Sequence, residues 1–562
     1  MTVPGVMERL ALRSPLWERR LRLPAVLLLA ALFKLGLLLA GAAPFNGDEA
    51  IVALMARHIL QGERPVFFYG QAYMGSLDAW LIAPLFAVFG PSVGAVRAVQ
   101  VLVYLGTVAT TYWLGRRIFR SEWIAGAAGV LMALPPVLTT LYTTITLGSY
   151  GEVLLIGNLL LLLALDLGRD GAAPRLTNGQ RLGGWFLLGV LGGVGFWSLA
   201  LIGVYLLPIA VYLAVAHWPH KARLGPLVLV AAVGFALGAS PWILYTFQYG
   251  LATVADSVGA AMPLPPGYQP VLAVFRHMFY FLLFGLTVVW GLRPPWSADF
   301  LALPMLPFVL ALHVAALIFT LRGAFRVRDH ASHGRALLLG MMATLVAAYL
   351  LTPYGEDPSG RYFVPLTIPT ALFMAAALHW LRLRRRRQRS PWRKWFAQIL
   401  AMALIAFYWW SNVSAAAQLP PGLSTQFNAV GQIDTRAMPA LMRFLREHGE
   451  TRGYSNYWVS FPLAFESGEE LIFAPLLPYH LDFRWTPRDN RYPAYGDLAA
   501  ASPRAAYITT HHPPLDKRLR LAFDRLEISY QEELIGDYQV FYALSRKVTP
   551  DELGLSPECC AP

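Results

Sequence analysis

The chain has 562 residues, of which 56% are hydrophobic and 14% charged, and its formal net charge is +13. Several apolar runs reach the ~17–25 residues that a helix needs to cross a bilayer, which excludes a soluble globular protein. The basic residues sit in short loops between these runs, at Arg9 to Arg22, Arg116 to Arg120, Lys221 to Arg223, Arg322 to Arg335 and Arg382 to Lys394. That is the positive-inside pattern of a polytopic membrane protein, not a nucleic-acid surface.

Residues 1–23 form a basic N-terminal segment, expected in the cytoplasm, and the first apolar run follows it. This start resembles a signal peptide, but the run is long and carries Lys34, so an uncleaved first span is expected. The hydrophobic pattern predicts spans near 24–42, 94–114, 121–138, 150–167, 184–199, 200–217, 225–247, 303–321, 336–352, 364–381 and 395–411. The expected fold is therefore an α-helical polytopic membrane domain over 24–411 with roughly eleven transmembrane helices. Segment 272–290 is apolar too, but counting it would move the Arg322–Arg335 loop outside. It is read as re-entrant or interfacial. With an odd number of spans, the outer face collects 43–93, Thr139–Tyr150, 248–302, Thr352–Arg361 and everything after 411.

From 412 to 562 the composition turns polar, with alternating helix and strand signals. Met438 to His448 reads as an amphipathic helix. Leu471 to Ala474, Ala505 to Thr510, Glu527 to Tyr530 and Gln539 to Leu544 read as strands, giving a small extracytoplasmic α/β domain with its own core. Asn412-Val413-Ser414 fits a glycosylation sequon but abuts a span, and reads as chance. The only cysteines, Cys559 and Cys560, are adjacent and make neither a disulfide framework nor a metal site. His330 and His333 have a ligand-like spacing but stand in a basic loop, where a solvated face is the better reading. There is no nucleotide-binding loop and no nucleophile elbow.

The acids on the expected outer face carry the chemistry. Asp48 and Glu49 stand just after the first span, where two carboxylates are costly to desolvate. A carboxylate at a dry boundary can act as a base; as a plain alternative, Asp48 caps a surface helix and Glu49 is a first-turn acid. Asp78 could cap the amphiphilic helix Leu77 to Phe89, and Glu152 could pair with an arginine. Arg361, followed by Tyr362, could snorkel to the interface. Acids and an arginine at one depth suggest a shared polar cavity.

Around these acids the text resembles GT-C membrane glycosyltransferases, in particular the bacterial protein O-mannosyltransferase and aminoarabinose-transferase-like group. The matching residues are Asp48-Glu49-Ala50, then Met55 to Gly62, then Tyr69-Gly70-Gln71-Ala72-Tyr73-Met74-Gly75-Ser76-Leu77. Arg361-Tyr362 with Pro365 resembles the late Arg-Tyr-x-x-Pro element, and Tyr457-Trp458 to Ser467 with Glu470 resembles the soluble tail of bacterial members. The resemblance implies an inverting sugar transfer from a polyprenyl-phosphate donor to a protein, lipid or glycan acceptor on the outer face. It implies Asp48 as general base, with Glu49 positioning Asp48 or helping to hold a divalent ion such as Mg or Mn. Arg361 and Tyr362 are expected at the donor phosphate, and Tyr69, Gln71, Tyr73, Asp78 and Glu152 around the substrates. Where some relatives have a second Asp, Glu152 stands nearest. The alternative is a transporter or flippase of lipid-linked glycans, which would want symmetric halves and acids deep within several spans.

Overall fold

A computed structural model describes residues 16–172, 176–251, 254, 269–326, 330–383, 391–418, 422–483 and 487–555. The first half runs α1 (Leu16–Leu39), α2 (Gly47–Leu60), the hairpin β1 (Phe67–Phe68) and β2 (Gln71–Gly75), then α3 (Leu77–Phe89), α4 (Val93–Phe119), α5 (Glu122–Ala133), α6 (Val137–Tyr142), α7 (Tyr150–Ala172), α8 (Asn178–Ser198), α9 (Gly203–His217), α10 (Lys221–Gly238) and α11 (Ser240–Tyr249). The second half of the bundle has α12 (Pro270–Tyr280), α13 (Leu286–Val289), α14 (Leu306–Arg326), α15 (His330–Leu351), α16 (Thr367–Leu383) and α17 (Pro391–Gln418). The C-terminal region follows with α18 (Met438–Glu447), β3 (Arg452–Tyr454), α19 (Tyr457–Glu466), β4 (Ile472–Ala474), α20 (Ala494–Ala501), β5 (Ala506–Thr510), α21 (Pro513–Arg525), β6 (Gln531–Ile535) and β7 (Tyr538–Tyr542).

Among the described residues nine helices are long and apolar enough to cross a membrane, or ten if α10 and α11, bent by 67° at their junction, count as one span. This is a multi-pass membrane protein. Its spans differ from the expected set at three places. The helix expected over 121–138 is α5, only 12 residues long, because Pro135 and Pro136 end it. The stretch expected to span over 184–199 lies in α8, where glycines replace apolar bulk. Gly189 and Gly193 press against the α10 backbone so closely that a Cβ would overlap the carbonyl oxygens of Ala231 and Phe235. Small-residue seams of this kind let membrane helices approach backbone to backbone. Segment 272–290 is not a re-entrant loop: Val271–Val289 is one helical stretch of spanning length, with a π-turn at Phe281–Gly285.

The C-terminal region is an α/β unit around a mixed five-stranded sheet in the order β4-β3-β5-β7-β6. β3 lies parallel to β4 and β5, whereas β7 lies antiparallel to β5 and β6. The helix expected at Met438 is present, as are three of the expected strands within a residue or two at most ends. The stretch Glu527 to Tyr530 is a turn, with Glu527 at φ 52°, and the strand begins at Gln531. Part of the core is the region's own, around Tyr507, Leu519 and Phe523. The other part is shared: Ile51, Leu54 and Met55 of α2 pack in one cluster with Trp458, Phe461 and Phe465 of α19. Asn412 is buried and donates to the carbonyls of Pro135 and Tyr408, both at 2.8 Å, so the sequon is structural. Cys559, Cys560 and Arg384 to Arg387 lie outside the described residues.

Candidate active site

Asn46 caps α2, its side chain accepting from the Glu49 amide at 3.0 Å. Asp48 is therefore not the cap. It reaches across to α19, where the Tyr457 hydroxyl donates to Oδ1 at 2.5 Å. Gly47 permits this approach, since a Cβ there would stand 2.8 Å from Tyr457 Cε1. Burial first, and the Asp48 carboxylate second, hold the Tyr457 phenol well above the ordinary tyrosine range, so it remains a donor.

Glu49 points the other way. It is buried, and the Arg97 guanidinium binds both of its oxygens, at 2.6 Å and 2.7 Å. Arg97 also donates to the Ala43 carbonyl at 3.0 Å, tying the end of α1 to α2 and α4. Burial raises the Glu49 carboxyl above the usual range, opposed by Arg97. With both oxygens taken, Glu49 does not fit the expected part in holding a divalent ion. Among the described residues no three His, Cys, Asp or Glu side chains converge as a ligand set.

A cavity of about 730 Å³ opens beside Asp48. Four of the segments expected on one face line it: the first loop with Gln71 and Tyr73, Tyr142 and Tyr150, the strap 352–362, and the C-terminal region with Tyr457 and Arg491. None of the described residues of the loop 248–302 lines it. One wall is apolar, built by Leu199, Leu201 and Val204 opposite Leu345 and Ala348 of α15.

Arg361 does not snorkel away. It forms an ion pair with Asp357 at 2.7 Å, lies over the Tyr362 ring at 5.1 Å and donates to the Tyr362 hydroxyl at 3.1 Å. The strap holding it turns at Gly360, whose φ is +75°. A Cβ on Gly360 would overlap Val288 Cγ1, so the turn has no room for a side chain. Behind the strap, the buried Arg293 donates to the Pro358 carbonyl at 2.7 Å.

Three expected substrate contacts lie elsewhere. Tyr69 turns outward, hydrogen-bonded to Glu63 at 2.5 Å and His58 at 2.9 Å. Asp78 is buried behind the cavity and accepts from Thr146 at 2.7 Å, and burial raises its carboxyl. It does not cap its helix; Ser76 precedes α3. Among the described residues Glu152 pairs with no arginine; it accepts from Gln100 at 2.8 Å, close to Asp78. Lys34, within the first span, is fully buried, donating to the Thr140 carbonyl at 3.0 Å and to the hydroxyls of Thr143 and Thr144 at 2.7 Å and 2.6 Å.

Arg491 was invisible in the sequence. From the C-terminal region its guanidinium stands over Phe68 and Tyr457 at 5.8 Å and 5.6 Å, and it reaches the Gln71 side-chain oxygen at 2.6 Å once the Gln71 amide is turned so that its oxygen faces the donors. A Cβ on Gly70 would meet it at 3.1 Å. Nothing in the local text around Arg491 marks it; only the Tyr-Gly-Gln motif, which makes room for it, carries a signal.

The comparisons with known proteins agree with this architecture. Over 92% of this chain and 97% of the other, the structure resembles ArnT from Cupriavidus metallidurans bound to undecaprenyl phosphate, with a TM-score of 0.55 at 14% identity. The fold is the GT-C glycosyltransferase fold. A second GT-C structure, the oligosaccharyltransferase AglB from Archaeoglobus fulgidus in complex with an inhibitory peptide and a dolichol-phosphate, matches over 97% of this chain and 78% of its own, with a TM-score of 0.52 at 15% identity. Residues 76–245 match the dolichyl-phosphate-mannose-protein mannosyltransferase family. In sequence, the chain is 32% identical over 173 residues to an undecaprenyl phosphate-alpha-4-amino-4-deoxy-L-arabinose arabinosyl transferase of Pseudomonas fluorescens (strain Pf0-1). It is 28% identical over 193 residues to the corresponding transferase of Edwardsiella ictaluri (strain 93-146). These alignments cover 29% and 33% of this chain and only 28% and 31% of the two relatives. In this GT-C chain Asp48, Gln71 and Tyr73 all precede the family-matched stretch.

Proposed function

We propose that the protein is an inverting glycosyltransferase that moves a sugar from a polyprenyl-phosphate donor to an acceptor hydroxyl in the Asp48 cavity. The observation that carries this reading is the joining, in one cavity, of a carboxylate, two guanidiniums and an apolar wall. The lipid tail of the donor lies along Leu199, Leu201, Leu345 and Ala348. Its phosphate takes the planar donor forks of Arg361 and Arg491, which stay charged as the leaving group gains charge. Asp48, held by Tyr457, accepts the acceptor's proton as its oxygen attacks the anomeric carbon. The bond from that carbon to the phosphate oxygen breaks, and polyprenyl phosphate leaves. Glu49 serves at one remove, through the Arg97 pair that fixes α2. The arginine-rich loops at the opposite end support a cytoplasmic N-terminus and an extracytoplasmic cavity and C-terminal region.

The test is transfer of radiolabelled sugar from undecaprenyl-phosphate donors by purified full-length protein, wild type against Asp48→Asn. Loss of about 10²–10⁴-fold in turnover is expected, with unchanged thermal unfolding and unchanged binding of undecaprenyl phosphate. Transfer that survives in the variant would remove Asp48 as the base. Movement of a labelled lipid-linked glycan across a vesicle membrane by both proteins, without transfer, would favour the flippase.

A further inference from the structure

A second polar pocket lies at the other end of the bundle. It is a groove of about 570 Å³ between the C-terminal ends of α4 and α7. From Tyr150, which lines the cavity, to Arg169, which lines this groove, α7 rises about 28 Å, close to the thickness of a bilayer core. The groove's charged lining residues are Arg116, Arg117, Arg120, Arg169 and Asp166, four guanidiniums against one carboxylate. Trp113 and Leu162 complete it on the membrane side, and Trp113 is 44% exposed.

The positive-inside rule accounts for arginines at this end, but not for their convergence. Arg169 donates to the backbone carbonyl of Arg117 at 3.2 Å, which brings two like charges together. Asp166 pairs with Arg117, and Glu122 outside the groove pairs with Arg116 at 2.8 Å. Arg120 forms no ion pair among the described residues. It caps α4 in the left-handed region with φ 50°, a conformation unfavourable for a non-glycine residue. The Arg117 Nε is buried without a hydrogen-bond partner. A neighbouring groove shares Arg117, Asp166 and Arg169, and its Asp170 is taken up by Arg181; among the described residues its lining includes neither Arg116 nor Arg120.

The geometry points to a binding site for the phosphate headgroup of an anionic phospholipid from the leaflet at this end, with its acyl chains against Trp113 and Leu162. The phosphate oxygens accept from Arg116, Arg120 and the unpartnered edge of Arg117, and the attraction is the kind expected of basic pockets between membrane helices. The site is independent of the sugar chemistry.

The experiment uses the full chain in detergent, titrated with phosphatidylglycerol, with phosphatidylcholine of the same acyl chains, and with orthophosphate, bound lipid being counted by native mass spectrometry. Phosphatidylglycerol is expected to bind at least about tenfold more tightly than phosphatidylcholine. The double variant Arg116→Gln with Arg120→Gln should lose that preference, while Arg22→Gln, a basic residue outside the groove, should keep it. Equal binding of the two lipids would overturn the proposal, as would a preference that survives the double variant or falls equally in Arg22→Gln. Displacement of phosphatidylglycerol by submillimolar orthophosphate would show a free-phosphate site and overturn the lipid assignment.

Discussion

Asp48 and Glu49 are neighbours in sequence with opposite environments, and the difference decides what each can do. Asp48 meets a phenol at the edge of a cavity; Glu49 is enclosed by a guanidinium. Tyr457→Phe removes a hydrogen bond to a carboxylate, the kind that contributes about 1.5–3 kcal/mol. Turnover should fall about tenfold or more while binding of undecaprenyl phosphate stays unchanged. Unchanged turnover would show that Tyr457 does not act through Asp48. Arg97→Met leaves Glu49 buried without its partner, at a cost of about 3–5 kcal/mol. Thermal unfolding of Arg97→Met should show that loss, and adding Glu49→Leu should recover most of it. The sequence made Asp48 and Arg361 legible because each stands in a short polar motif at a membrane boundary. It also marked Tyr457, though only within a resemblance. The separate roles of the two acids were hidden, because Arg97 is 48 residues from Glu49 and Tyr457 is 409 residues from Asp48.

The strap between α15 and α16 shows how an element can be built to hold one side chain. Asp357 accepts from the Ser359 amide at 2.8 Å while pairing with Arg361, so a local turn and an ion pair share one carboxylate. Gly360→Ala must place a Cβ at positive φ against Val288, a strain of about 1–3 kcal/mol. The expected outcome is a lower unfolding temperature together with a raised KM for the polyprenyl-phosphate donor. An unchanged KM would separate the strap from donor binding. Hydropathy located most of the long helices, because a bilayer demands long apolar runs. It misjudged α8, where close packing uses glycine instead of bulk, and α5, where prolines cut the run short. Charge counting alone set 272–290 aside as re-entrant or interfacial, although its helix is of spanning length.

At the scale of the whole molecule, the bundle and the C-terminal region are not two separate bodies. α2 packs with α19, the hairpin of the first loop holds Arg491, and His58 and Arg57 of α2 bond to Glu469, at 3.0 Å, and to the Phe465 carbonyl, at 2.9 Å. Near this seam burial pushes Glu466 up to about 7. A carboxyl held above its unfolded value binds a proton more tightly in the folded state. Stability then falls as pH rises from about 4.3 to 7 and is level beyond. Glu466→Gln should flatten the decline of unfolding temperature between pH 5 and pH 8; an unchanged slope would assign that decline to another group. The change of composition placed the domain boundary near 412, inside α17, which runs to Gln418; the shared core was not legible, because apolar residues of α2 read equally well as a membrane-surface stripe. That shared core has a consequence for biosynthesis. Asp48 leaves the ribosome some 409 residues before the tyrosine that holds it, a delay of about 20–80 s at ordinary bacterial elongation rates. Throughout that interval α2 lacks the α19 face on which it packs and Asp48 lacks its tyrosine, so a nascent or prematurely terminated chain can sit in the membrane, fully inserted, with one wall of the Asp48 cavity still missing.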